Sequence, residues 1–197
     1  MESIKNWLIK AAIKTFYFLR LRVLTIKLQR LIMEPNPKRT KIPKFLTPRD
    51  IEKYISLRFK YRLDELIYKK KAIALDWVSD PEVFQTRLMD PRDLDGDCDD
   101  YHYWVAHNLS LIKTVSNVKL VSVVWNGNGH TVCCYFYKRN WYLFNYKIIK
   151  IDSPNEIPAL VMKAHAPDKK MVFYVFEDLD FNLLAISPET VAEVVAP

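Results

Sequence analysis

The chain has 197 residues, 50% of them hydrophobic, which is enough for one substantial core and points to a single compact domain with an extension. Its net charge of +7 is concentrated at one end: residues 1–50 carry 12 Lys/Arg against 3 Asp/Glu, and residues 51–197 carry 18 against 20. The three cysteines, Cys98, Cys133 and Cys134, are odd in number and spaced unlike a disulfide framework or a zinc knuckle, so reduced thiols in a cytoplasmic setting are expected.

Residues 1–34 contain no Gly and no Pro and are expected to form a basic helix. Lys10, Lys14, Arg20 and Arg22 interrupt its apolar runs, which argues against a membrane-spanning helix, and no A-x-A-like cleavage site marks a signal peptide. Its basic residues scatter around the helical wheel rather than forming one face. It reads as a docking or anchoring arm for a protein assembly or a membrane surface, with a nucleic acid the least favoured partner. Residues 35–46 lie in the Pro- and Lys-rich stretch EPNPKRTKIPKFLTP, whose composition favours an extended linker.

The folded domain is expected over 47–197. Thr47-Pro48-Arg49-Asp50 has the signature of a helix start, with Thr47 as N-cap, Pro48 in the first turn and Asp50 reaching back; Ile51, Tyr54, Ile55 and Phe59 then form an apolar stripe. DELIYKKKAIALDWV, residues 64–78, reads as a second helix, and Asp80-Pro81-Glu82 as the start of a short third. Asp97 or Cys98 opens a further helix through YHYWVAHNLSLIK. Beyond it, VKLVSVVW, HTVCCYFYK, NWYLFNYKIIKI and KKMVFYVFEDL are rich in β-branched and aromatic residues and separated by turn signals. Together these elements predict an α+β fold with an antiparallel sheet of at least four strands. The adjacent Cys133 and Cys134 should then point to opposite faces as small strand hydrophobes.

The chemistry centres on DGDCDDY, residues 95–101, where a thiol lies among aspartates that oppose its ionisation. A nucleophilic Cys98 therefore needs positive charge nearby. The N-terminus of its own helix supplies part. His130, 32 residues downstream, can supply the rest as general base. A histidine base needs an acceptor to fix its tautomer, and Asn145 is the candidate. With a two-residue loop at Lys138-Arg139, His130 falls opposite Lys147 and Asn145 lies one diagonal step away on the same face.

His102 and His107 are expected on the Cys98 helix in surface or packing roles, and His165 in an exposed position after an irregular segment. Trp77, Trp104, Trp125 and Trp141 read as core aromatics. Asp95, Asp97, Asp99 and Asp100 can be a solvated helix N-terminus, where acids are favoured.

The order Cys, His, Asn carries a resemblance. GDCDDY, GHTVCCYF and WYLFNY resemble the three motif blocks of the transglutaminase-like superfamily, particularly its bacterial cysteine proteases, over roughly residues 77–147. The resemblance implies a papain-like core in which Cys98 is the nucleophile, His130 the base and then the acid, and Asn145 the orienter, acting on protein amides through a thioester. Many relatives carry Asp where this chain has Asn145, and Asn adds no negative charge to stabilise an imidazolium. In some relatives the acids beside the cysteine bind calcium, which would make Asp97 and Asp99 ligands; no other cofactor is implied. The alternative is a catalytically silent member of the fold, serving as a structural or adaptor subunit of a virion or envelope complex.

Overall fold

The computed structural model describes residues 43–61, 65–68, 71–74, 95–125 and 128–186. The arm at 1–34, most of the 35–46 linker and the helix start at Asp80 lie outside the described residues. Helix α1, Pro48–Ser56, opens as its sequence predicts: the Thr47 backbone N–H and hydroxyl both donate to the Asp50 carboxylate at 2.8 Å. These bonds hold the Asp50 carboxyl below its ordinary range. Ile51 and Ile55 are fully buried, each such side chain contributing about 1.5–3 kcal/mol. Phe45 and Tyr54 form an aromatic cluster with Trp104, with ring centroids 5.3–5.9 Å apart.

The segment expected as a second helix is instead a hairpin. Strands β2, Glu65–Tyr68, and β3, Lys71–Ala74, pair antiparallel from Glu65↔Ala74 to Tyr68↔Lys71. The three consecutive lysines at 69–71 deny a helix one continuous apolar face, whereas two four-residue strands need none. Before them, β1, Lys60–Tyr61, pairs in parallel with β4, Asp95–Gly96, so the chain just after α1 runs beside the chain that leads into the next helix.

That helix, α2, spans Cys98–Ser110 with Asp97 as N-cap. Six strands follow: β5, Val115–Trp125; β6, Asn128–Tyr137; β7, Asn140–Asn145; β8, Lys147–Ile151; β9, Met171–Glu177; and β10, Leu183–Ile186. They form one sheet of order β10-β9-β5-β6-β7-β8, antiparallel throughout. Helices α1 and α2 pack on one face of it, and α3, Ile157–His165, covers the other. Strand alternation feeds both layers: Cys133 and Phe144 join the α2 side, and Cys134 and Leu143 the α3 side. The predicted α+β class is what the chain adopts, with six strands where at least four are expected.

The β6–β7 turn uses Lys138 and Arg139, both left-handed at φ 49° and 64°, a conformation that matches the twist of the strands. The two-residue loop sets the expected register from Tyr137↔Asn140 to Cys133↔Phe144, but the ladder ends there, and Lys147, expected opposite His130, instead pairs with Asn145 on β8. NWYLFNYKIIKI is two strands rather than one: Tyr146 has φ 57° and breaks β7 from β8. Helix α3 stands where irregular chain is expected. It starts from a capping box in which the Ser153 N–H donates to Glu156 at 2.9 Å, ahead of a 3-10 turn at Pro154–Glu156.

Candidate functional site

Cys98 is the first residue of α2, directly after its N-cap. The Asp97 carboxylate accepts the Asp99 backbone N–H at 3.2 Å, and the Asp99 carboxylate accepts the Asp100 N–H at 3.0 Å. These acids therefore occupy the amide end of the helix, where negative charge is favoured. The solvated N-terminus expected for this cluster is corrected: Asp99 and Asp100 are 3% and 1% exposed, because α2 enters the core at its first turn. Cys98 is half-buried and in no disulfide.

His130 lies on β6 beyond the last paired residues of β7, where the sheet opens and the first turns of α2 approach. Its ring, 7% exposed, is 5.5 Å from the ring of His102 and 5.6 Å from that of Tyr146. His130 Nε2 is 3.0 Å from Asn145 Oδ1. A carboxamide oxygen only accepts, so Nε2 carries the proton and Nδ1 is left as the basic atom. Burial, opposed by the Asn145 bond and reinforced by nearby His165, lowers the His130 pKa to about 4. The imidazole is thus neutral near pH 7.

His102 is fully buried, consistent with a packing role, and is tied to the Cys98 turn: its Nδ1–H donates to the Cys98 carbonyl at 2.6 Å. Its Nε2 has no hydrogen-bond partner among the described residues. Burial first, then the neighbouring His130, hold its pKa well below the ordinary value. His107, at the far end of α2, is half-buried. Cys133 and Cys134 are fully buried; burial pushes the Cys133 thiol well up and the Cys134 thiol to about 12, so both stay protonated, as expected of strand hydrophobes. Trp104 and Trp125 are buried and Trp141 packs against the α3-side core; Trp77 is outside the described residues.

His165 is the residue that sequence reasoning misses. It is exposed as expected, but it is the last residue of α3 and reaches the site, with its ring centroid 3.9 Å from that of His130. Asn145 Nδ2 donates to His165 Nε2 at 3.1 Å. A signal for the helix, though not for its reaching the site, is present in S-P-N-E followed by Ile157 and Val161 at helical spacing, a capping box ahead of an apolar stripe.

Among the described residues no group of three or more His, Cys, Asp or Glu side chains could hold a metal ion. Asp97 and Asp99 alone fall short of the six to eight oxygens that calcium takes, and each has an oxygen engaged by the helix backbone. These donors do not by themselves fit a calcium site. Among the described residues, too, no helix is long and apolar enough to cross a membrane.

No family model matches the sequence, and no curated protein is significantly similar to it. Among solved structures, similarity is found to LapG of Legionella pneumophila in its calcium-bound form, 19% identical over 78% of this chain and 83% of that one, with a TM-score of 0.37. A second LapG structure gives 18%, 78%, 83% and 0.37, and the EGTA-treated form gives 18%, 79%, 84% and 0.38. Similarity at this level carries no property of LapG to this chain.

Proposed function

We propose that the chain is a thiol-dependent hydrolase or acyltransferase acting on protein amide bonds, a cysteine protease in its simplest form, with Cys98 as nucleophile, His130 as base and Asn145 as orienter. The observation that supports it is the hydrogen bond from His130 Nε2 to Asn145 Oδ1, 3.0 Å, made at the end of the sheet that the Cys98 helix approaches. A histidine held in one tautomer and unprotonated near pH 7 can accept a proton at its other nitrogen, although a pKa of about 4 makes it a weak base.

In this reading the Cys98 thiol gives its proton to His130 Nδ1, and the thiolate sulfur adds to the amide carbonyl carbon as the π pair moves onto oxygen. The Cys98 backbone N–H, at the positive end of α2, meets that oxyanion. Collapse breaks the C–N bond, the leaving amine takes the proton from His130, and a thioester remains. Water or an acceptor amine, deprotonated by His130, then displaces the thiol.

The test is the pH dependence of Cys98 alkylation by iodoacetamide, with calcium or EGTA present, in the protein and in His130→Ala. A rate that rises well below the ordinary thiol pKa of about 8.5, and loses that rise in His130→Ala, is expected. An ordinary thiol profile, indifferent to His130 and to calcium, would overturn the enzyme reading and favour a structural or adaptor role for the same fold.

A further inference from the structure

A carboxamide has two faces of nearly the same shape and opposite polarity. If Asn145 had His130 as its one partner, rotation of the amide by half a turn would present Nδ2–H₂ to His130 Nε2 instead of Oδ1. The imidazole would then hold its proton on Nδ1, and the basic lone pair would face Asn145 rather than the thiol. A second partner has to break this degeneracy.

We propose that His165 is a positioning residue of the site: by accepting the Asn145 Nδ2–H it keeps Oδ1 turned toward His130, and so determines which nitrogen of His130 is the base. This rests on the reading of Cys98, His130 and Asn145 as the catalytic set. The geometry is specific. His165 Nε2 lies 3.1 Å from Asn145 Nδ2 and 3.3 Å from Oδ1, and a single ring nitrogen cannot accept from one and donate to the other. A neutral His165 with its proton on Nδ1 takes the first contact and fixes the amide as described. Partial burial lowers the pKa of His165, which favours that neutral form. The same ring lies over His130, 3.9 Å away and tilted by 36°, so a residue from the α3 layer stands against the histidine.

Two substitutions separate the hydrogen bond from the cover. His165→Phe keeps a ring over His130 and removes the acceptor; His165→Gln restores an acceptor oxygen at a similar reach. Long-range proton–nitrogen correlation spectra of the histidine rings report which nitrogen is protonated, and iodoacetamide labelling reports the thiol. The His130 proton is expected on Nε2 in the unmodified protein and divided between both nitrogens in His165→Phe. The labelling rate near neutral pH should fall roughly tenfold in that variant, as for loss of one oriented hydrogen bond, and largely recover in His165→Gln. A His165→Phe protein with the His130 proton still wholly on Nε2 would overturn the proposal, as would a His165→Gln protein no better than His165→Phe. If Cys98 in the unmodified protein behaves as an ordinary thiol, the catalytic reading fails by itself, while the tautomer comparison still decides the role of His165.

Discussion

His130 is held neutral by burial and by the neighbouring His165, and its hydrogen-bond partner Asn145 is an uncharged amide, so in the proposed reading the site departs from an ideal ion pair. Asn145→Asp would place a carboxylate about 3 Å from Nε2, where an opposite charge raises a histidine pKa by roughly one to three units. The imidazolium becomes easier to form, so the thiolate partner forms at lower pH. The alkylation profile of Cys98 is therefore expected to move toward acid by about one unit in Asn145→Asp, and Asn145→Ala should slow labelling near neutral pH. A profile in Asn145→Asp that coincides with the unmodified protein would mean that His130 does not govern the thiol.

Among the helices and strands, the start of α2 and the β6–β7 turn set the site. Asp97 caps the helix through the Asp99 N–H, so Asp97→Ala should lower stability by about 1 kcal/mol, read as a shifted urea midpoint. Asp97→Ser keeps a capping oxygen and removes the carboxylate, and its midpoint should stay close to that of the unmodified protein. A large loss in the serine variant, seen only with calcium present, would show the acid acting as a ligand after all. The turn offers the opposite sign. Lys138 and Arg139 both sit in the left-handed region, where residues other than Asn, Asp and Gly are strained. The double substitution Lys138→Asn with Arg139→Gly should raise stability by about 1 kcal/mol with the strand register unchanged.

Taken together, the fold gathers at one end of its sheet three histidines whose folded pKa values lie below the ordinary 6.5. The unfolded chain binds protons to these rings more readily than the folded chain does. Stability therefore rises with pH through this range and is lost as pH falls from about 6.5 toward 4, the window given by His130. His130 alone accounts for a loss on the order of 3 kcal/mol, complete below its folded value. Urea midpoints measured from pH 7 to pH 4 should fall accordingly, and His130→Gln should flatten the decline. Midpoints that stay level across the window would mean that the rings are not buried neutral.

The local chemistry of this protein is written in its sequence. Helix caps at Thr47 and Asp97, strand alternation at Cys133 and Cys134, and the two-residue turn at Lys138 and Arg139 are short-range effects, decided by a few neighbouring residues and by the period of two along a strand. They are enough to read an α+β chain and, with a two-residue turn, to permit His130 and Asn145 as neighbours. Packing settles whatever depends on residues distant in the chain. The 65–74 segment pairs as a hairpin although its composition admits a helix. Tyr146 breaks one apolar run into two strands. The α2 start is buried, so Asp99 and Asp100 are not solvated acids. His165 reaches the site because α3 crosses the face of the sheet opposite α2 and ends beside His130, a meeting of residues 35 apart in sequence. No local pattern encodes that meeting, because it arises from the packing of two layers against one sheet.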